Sequence, residues 1–378
     1  MTFDFDTPIT RRGTGCIKYD RRPDLDPFWV ADMDFASAPA ILEALHRRVD
    51  HGVFGYPHPH EGLNDSVLEY LRTRRDAEVP LEQIIHLGGL VPALSLAARA
   101  YCGPGDALMT CTPVYPPFLN VHHDARVDLV TVDHRLEDKR WVFDWAAMER
   151  AVTKQTRVFL LCNPQNPLGR VFSRDEILQL ATFCEAHDLV LVSDEIHCDL
   201  VFDEALTPHV SALNLPPALA ERSVTLLSPS KTWNIAGLGY AWAIIPDAAL
   251  RRRFMASRGH TLSEINALAY YAAEAALRHG EPWRKALLAY LQTNRDELVD
   301  FIRTRCPELS VIAGDATYLA WIDARRLGLA NPAEHFEKRA GLFLSDGKAF
   351  GWPGWVRFNF GCTRAHLREG LEKIRAAL

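Results

Sequence analysis

The chain alternates short, continuous apolar runs with stretches in which apolar residues recur every three or four positions, and the two periods predict different elements. Runs at 107–110, 127–132, 158–161, 189–192, 223–227 and 240–245 are short, mostly apolar and β-branched, and predict strands, several buried on both faces. Helical spacing occupies much of the chain between them and to either side. Residues 39–49 place Ile41, Leu42, Leu45 and Val49 on one face. A helix from Gly88-Gly89 to about Ala100 carries Pro92 in its first turn, where a missing N–H is tolerated. Residues 145–152 read as helix, and another opens at Ser173 with Glu176 three residues on, a capping box, followed by Ile177, Leu180, Ala181 and Cys184. Strands alternating with helices predict an α/β fold with a mainly parallel sheet flanked by helices.

The last hundred residues change rhythm. Helices are predicted over 262–277, with Ile265, Leu268, Ala272 and Ala276 on a face, and over 283–303, with Leu287, Leu291, Leu298 and Ile302. A strand at 318–322, a short helix after Pro332, a strand at 355–360 and a closing helix from Arg364 predict a smaller α+β C-terminal domain. Within 355–360, Val356, Phe358 and Phe360 share one side and Arg357 and Asn359 the other, so Arg357 reads by alternation as a solvent-facing residue. The first thirty-odd residues have no sustained period and end in Trp29-Val-Ala-Asp-Met-Asp34-Phe35, an apolar patch with two carboxylates. The expected organisation is an N-terminal arm, 1–38, packing on the small domain; a large domain, 39–280; and the small domain, 281–378.

Three of the predicted strands in succession release polar side chains at their carboxyl ends. Strand 158–161 empties into Cys162-Asn163-Pro164-Gln165-Asn166, strand 189–192 into Ser193-Asp194-Glu195-Ile196-His197, and strand 223–227 into Ser228-Pro229-Ser230-Lys231. Ligands of open α/β sheets sit outside these ends, so Asn166, Asp194, His197, Ser228, Ser230 and Lys231 should line one crevice. Taken singly, each has an ordinary alternative: a turn for Ser228–Lys231 and Asn166, a cap for Asp194, a packed histidine for His197. Tyr56, in the Gly/Pro-punctuated loop Phe54-Gly-Tyr-Pro, reads as a loop aromatic. Pyridoxal 5′-phosphate would satisfy the set as a whole. Its aldehyde forms an imine with an amine (Lys231), and its ring nitrogen stays protonated beside a carboxylate (Asp194). Its phosphate needs hydroxyls and free N–H groups, which Ser228, Ser230 and the helix start at Gly89, Leu90 and Val91 supply.

Composition removes other classes. A net charge of −6 with interspersed signs leaves no electrostatic footprint for nucleic acid. No apolar stretch is long enough for a membrane span, and the N-terminus lacks the apolar centre of a signal peptide. Eight scattered cysteines without C-x-x-C spacing read as reduced thiols of a cytoplasmic protein, and no metal-ligand spacing accompanies the histidines.

The segments Ser-Pro-Ser-Lys231-Thr-Trp-Asn-Ile-Ala-Gly-Leu, Cys162-Asn-Pro-Gln-Asn-Pro-Leu-Gly-Arg-Val, Ser-Asp194-Glu-Ile-His and Val-Arg357-Phe-Asn-Phe-Gly-Cys resemble the class I/II aminotransferase family, the fold-type I pyridoxal phosphate enzymes. Trp-Val-Ala-Asp-Met-Asp-Phe, Thr-Pro-Val-Tyr115-Pro-Pro-Phe and Asp-Glu-Ile-His-Cys-Asp are similar to its C–S lyase branch, the cystathionine β-lyases. The resemblance spans essentially the whole chain and implies the seven-stranded type of sheet, with Lys231 as the Schiff-base lysine and Asp194 on the pyridine nitrogen. It puts Asn166 and His197 near the phenolic oxygen, Tyr115 stacked on the ring, and Ser228, Ser230, Gly89, Leu90 and Val91 on the phosphate. Tyr56 would reach the phosphate of the neighbouring subunit of a homodimer, and Arg357 would bind the substrate carboxylate. The implied reaction is β-elimination from L-cystathionine or a related cysteine thioether to a thiol, pyruvate and ammonia. An aminotransferase using the same residues, and a regulator that keeps the fold, are the alternatives. Relatives often carry threonine where Leu168 stands. Many aminotransferases carry tyrosine in place of His197 and a phosphate-binding arginine in place of Gly239, differences that suit the lyase branch.

Overall fold

The computed structural model describes residues 3–260 and 262–378. Its larger sheet has seven strands: β1 (Ile84–Leu87), β2 (Ala107–Thr112), β3 (Asp128–Asp133), β4 (Thr156–Cys162), β5 (Val190–Asp194), β6 (Ser223–Leu227) and β7 (Ala241–Ile244). They lie in the order β1-β7-β6-β5-β4-β2-β3. The strands from β2 to β6 pair in parallel, and β7 runs antiparallel to both β6 and β1. The continuous apolar runs follow from burial of both faces. Along β4, Val158, Leu160 and Cys162 enter one core together with Leu90, Ala93, Leu94 and Ala97 of the helix Leu90–Tyr101. Phe159 and Leu161 enter the other, with Ile177, Leu180, Ala181 and Cys184 of the helix Arg174–Ala186. Ser173 and Glu176 form the expected capping box at the start of that helix.

Three expectations need correction. The helix Pro39–Asp50 buries Ile41 and Ala44, whereas Leu42 and Val49 are exposed. At 3.6 residues per turn those two lie roughly 80–100° round from Ile41, beyond the narrow buried stripe. The helix expected over 262–277 is Ala267–His279, because Asn266 accepts from the N–H of Ala269 and starts it there. Arg357 is not solvent-facing: it is 4% exposed. It sits on β11 of a second, antiparallel sheet of four strands, β8 (Ser310–Val311), β9 (Leu319–Asp323), β10 (Ser345–Asp346) and β11 (Trp355–Asn359), in the order β8-β9-β11-β10. One face of β11 supplies Val356 and Phe358 to the main core. The other is covered by a cluster of Trp141, Leu168, Trp321, Phe350 and Trp355, in which the rings of Trp321 and Trp355 stack at 5.5 Å. Three helices of ten residues or more, Glu61–Arg75, Pro116–Ala125 and Ala248–Arg258, and strand β1 were not anticipated. Charged residues interrupt the apolar period of the helices, and β1 has four residues with His86 among them.

The N-terminal segment is tied down along its length. Asp26–Pro27 pairs in parallel with Leu342–Phe343, and the ring of Phe28 stacks on Phe358 at 4.3 Å. Residues 29–35 then cross to the large sheet. Asn359 donates to the carbonyls of Val30 and Asp32, and Asn234 donates to those of Met33 and Phe35 while accepting from the N–H of Met33. Arg11 binds Asp32 and Asp34, and buried Lys18 binds Asp34 at 2.9 Å. These two cations hold the Asp34 carboxyl below the usual range against the cost of its burial. Among the described residues no helix is long and apolar enough to cross a membrane.

Candidate active site

The carboxyl ends of β4, β5 and β6 are adjacent in the sheet, so the polar residues they release converge. They border a cleft of about 220 Å³ that Gly89, Leu90, Val91, Tyr115, Asn166, Asp194, His197, Ser228, Ser230 and Lys231 all line. Tyr56 is fully exposed and stands outside this cleft. Arg357 lines an adjoining chamber of about 530 Å³, which shares Ala31, Tyr115 and Lys231 with the cleft.

At one end of the cleft the helix Leu90–Tyr101 begins. Its first-turn N–H groups have no intrahelical acceptor, and the helix dipole is positive there. Gly89 precedes it at φ +152°, and a Cβ built on Gly89 would meet only Pro92 Cδ, at 3.7 Å, so bare backbone faces the opening. Gly239, at φ +64°, lies beside it with room for a Cβ only 3.0 Å from the carbonyl of Gly88. Ser228 Oγ is 2.6 Å from the carbonyl of Tyr240 and 2.8 Å from Ser230 Oγ, which fixes both hydroxyls at the same end. Free N–H groups, a helix terminus and two hydroxyls make an anion cradle.

At the other end the charges are sparsely compensated. Asp194 is buried, accepts one N–H, from Ile196 at 3.1 Å, and has no cation within ion-pair distance among the described residues. Burial, reinforced by the neighbouring Glu195, pushes its carboxyl up to about 7. Glu195 itself is held ionised: it pairs with His209 at 3.0 Å and accepts from Ser193 and from the N–H of Ala212. The Lys231 amine donates to the carbonyl of Ala31 at 2.7 Å, and the Tyr318 hydroxyl donates to the same carbonyl at 3.0 Å. Loss of hydration, with the positive charge of Arg357, brings Lys231 down to about 8 against the pull of Asp32 and Asp194. His197 is buried with Nδ1 unpartnered among the described residues, and burial pushes its imidazole down to about 3, which favours the neutral form.

Arg357 donates to Asn166 Oδ1 at 3.0 Å, to the carbonyl of Trp29 at 2.5 Å and to Ser345 Oγ at 3.4 Å; its Nε has no partner among the described residues. Its guanidinium lies 4.9 Å from the ring centre of Phe350, and burial lowers it to about 10. No carboxylate pairs with it among the described residues, an expensive arrangement for a buried cation unless an anion arrives. Sequence reasoning missed the Ala31 and Trp29 carbonyls, Tyr318, Ser345 and Phe350. The only signal was the apolar patch of residues 29–35, whose backbone supplies both carbonyls.

The residues suit pyridoxal 5′-phosphate on structural grounds. The anion cradle matches the phosphate, the cation-free buried carboxylate of Asp194 matches a protonated ring nitrogen, His197 lines the space between, and Lys231 supplies a neutralisable amine.

A family model for aminotransferase class I and II matches residues 28–374. The cystathionine beta-lyase PatB of Bacillus subtilis (strain 168) is 37% identical over 388 residues, covering 99% of this chain and 100% of that protein. Among solved structures, OvoB superposes with a TM-score of 0.96 at 41% identity, covering 100% of this chain and 99% of that one. Cystalysin from Treponema denticola, which contains a pyridoxal 5′-phosphate cofactor, superposes with a TM-score of 0.95 at 31% identity, with the same coverage.

Proposed function

We propose that this chain, which belongs to the class I and II aminotransferase family, is a pyridoxal 5′-phosphate-dependent carbon–sulfur lyase that converts L-cystathionine or a related cysteine thioether, with one water, to a thiol, pyruvate and ammonia. The observation that carries the reading is the pairing of an uncompensated buried carboxylate, Asp194, with an uncompensated buried guanidinium, Arg357, on either side of Lys231, in a chain similar along its whole length to a cystathionine beta-lyase. The cofactor, when bound, supplies an electron sink that stabilises negative charge on the substrate Cα.

The chain's own groups do the rest. Asp194 keeps a negative charge against the ring nitrogen, while Asn166 and His197 face the phenolic side and Tyr115 the ring. Ser228, Ser230 and the N–H groups at Gly89, Leu90 and Val91 hold the phosphate. Arg357 takes the substrate α-carboxylate through its planar fork, exchanging its contact with Trp29 for a charged acceptor. Lys231, with its amine eased toward neutrality, removes the Cα proton, and the thiolate leaves from Cβ. The Ala31 carbonyl holds that amine in place between steps.

The catalytic unit is a homodimer in which Tyr56 reaches the phosphate of the partner's cofactor. Full exposure of Tyr56, beside exposed Val53 and Phe54, supports this reading. The chain divides into an arm (1–38), a large cofactor-binding domain (39–280) and a small domain (281–378), and its eight free cysteines accord with a cytoplasmic enzyme. The test is pyruvate release from L-cystathionine by purified, cofactor-loaded protein without 2-oxoglutarate; turnover that requires 2-oxoglutarate and releases no thiol would identify an aminotransferase instead.

A further inference from the structure

The chamber that Arg357 and Lys231 line carries, on its other residues, charge of both signs. Half of that charge is already matched within the protein. Glu337 pairs with Arg22 at 2.7 Å, and Glu334 pairs with Lys338. Two groups are not matched. Arg21 has no carboxylate within 4.0 Å among the described residues; its guanidinium lies 5.2 Å from the ring centre of Trp29. Asp346 accepts the N–H of Lys348 at 2.9 Å and has no cation within 4.0 Å among the described residues. The wall between is apolar, with Trp29 and Phe343 in ring contact at 4.8 Å. Trp29 joins the two ends of the chamber: its carbonyl accepts from Arg357 and its indole supports Arg21.

We propose that Arg21 and Asp346 are specificity-determining residues that select thioethers whose leaving thiol carries its own amino-acid head group, Arg21 taking the carboxylate and Asp346 the ammonium. The inference rests on the lyase reading and adds the class of leaving group to it. A guanidinium supported over an indole keeps N–H donors free for a carboxylate, whereas a plain alkyl leaving group would desolvate both charges without replacing their water. The methylenes between the sulfur and the head group would lie along Trp29 and Phe343.

The test is kcat/KM for pyruvate release by the cofactor-loaded enzyme and its variants, with four probes: L-cystathionine, S-butyl-L-cysteine, S-(2-carboxyethyl)-L-cysteine and S-(2-aminoethyl)-L-cysteine. Replacing Arg21→Met should lower the carboxyethyl-to-butyl ratio by roughly tenfold, the loss of one charge-assisted contact. Arg21→Glu should invert the preference toward the aminoethyl probe, and Asp346→Asn should lower the aminoethyl-to-butyl ratio. A misfolded variant would lose all four probes together, so the ratios isolate recognition. Ratios unchanged within twofold in all three variants, with pyruvate still released, overturn the inference and leave the lyase reading standing. No pyruvate from any probe with the wild-type enzyme overturns both.

Discussion

Replacing Arg357 separates what the residue does for the reaction from what it does for the fold. In Arg357→Met the side-chain volume is nearly kept, while the charge and the five donors go. The guanidinium is buried without an anion, so its removal relieves a desolvation cost. Against this, Asn166 Oδ1 and the Trp29 carbonyl each lose a donor, at about 1–3 kcal/mol per orphaned group. The terms oppose each other, and the melting temperature should move by only a few degrees, about the shift that 1 kcal/mol produces in a chain of this size. Catalysis should change far more. A bidentate carboxylate pair comprises two charge-assisted bonds of about 1.5–3 kcal/mol each, so its loss corresponds to a fall in kcat/KM of roughly 10²- to 10⁴-fold. Arg357→Lys keeps the charge but not the fork and should sit between. The assay is pyruvate release from L-cystathionine beside the visible spectrum, whose cofactor band should persist because Arg357 lines the adjoining chamber and supplies nothing to the phosphate cradle. A variant within tenfold of wild type in kcat/KM would refute the carboxylate role.

Other substitutions test the remaining groups. Lys231→Ala should abolish turnover and the visible absorbance band together; a variant that keeps turnover removes Lys231 from the mechanism. Asp194 has a folded pKa raised from 3.8 to about 7, so in protein stripped of cofactor its contribution to stability is fully present at low pH and is lost as pH rises through that range. Cofactor-free Asp194→Asn should therefore melt higher than wild type above pH 7, with the gap closing toward pH 4. Leu168, buried among Trp141, Trp321, Phe350 and Trp355, should cost about 1–3 kcal/mol when changed to Thr, measured by denaturant unfolding.

Alternation and periodicity made the parallel sheet legible because both of its faces are buried and the runs are accordingly unbroken. The crevice was legible for the same reason: Asn166, Asp194 and Ser228 to Lys231 follow directly on β4, β5 and β6, and strand adjacency brings them together. Arg357 was misread by pattern because a polar residue on an alternating strand normally faces water. Here Phe350 lies over it and Trp321 stands beside it on the neighbouring strand, a long-range fact that no local window contains. Ala31 and Trp29 act through carbonyl oxygens, so the identity of their side chains carried no sign of the role. Tyr318 contributes a hydroxyl from β9's leading edge, a position set by sheet packing rather than by any motif.

The crossing of residues 29–35 has a consequence for synthesis. Those residues are made before the groups that hold them, Asn234 and Asn359, and the strand pair before them needs Leu342 and Phe343. A growing chain therefore carries Lys231 out of the ribosome well before the carbonyl that receives its amine can be locked in place and before Arg357 exists. The reactive pocket cannot be completed until the chain has been made as far as Asn359, so a prematurely released fragment would hold the cofactor-facing lysine without the apparatus that aims it.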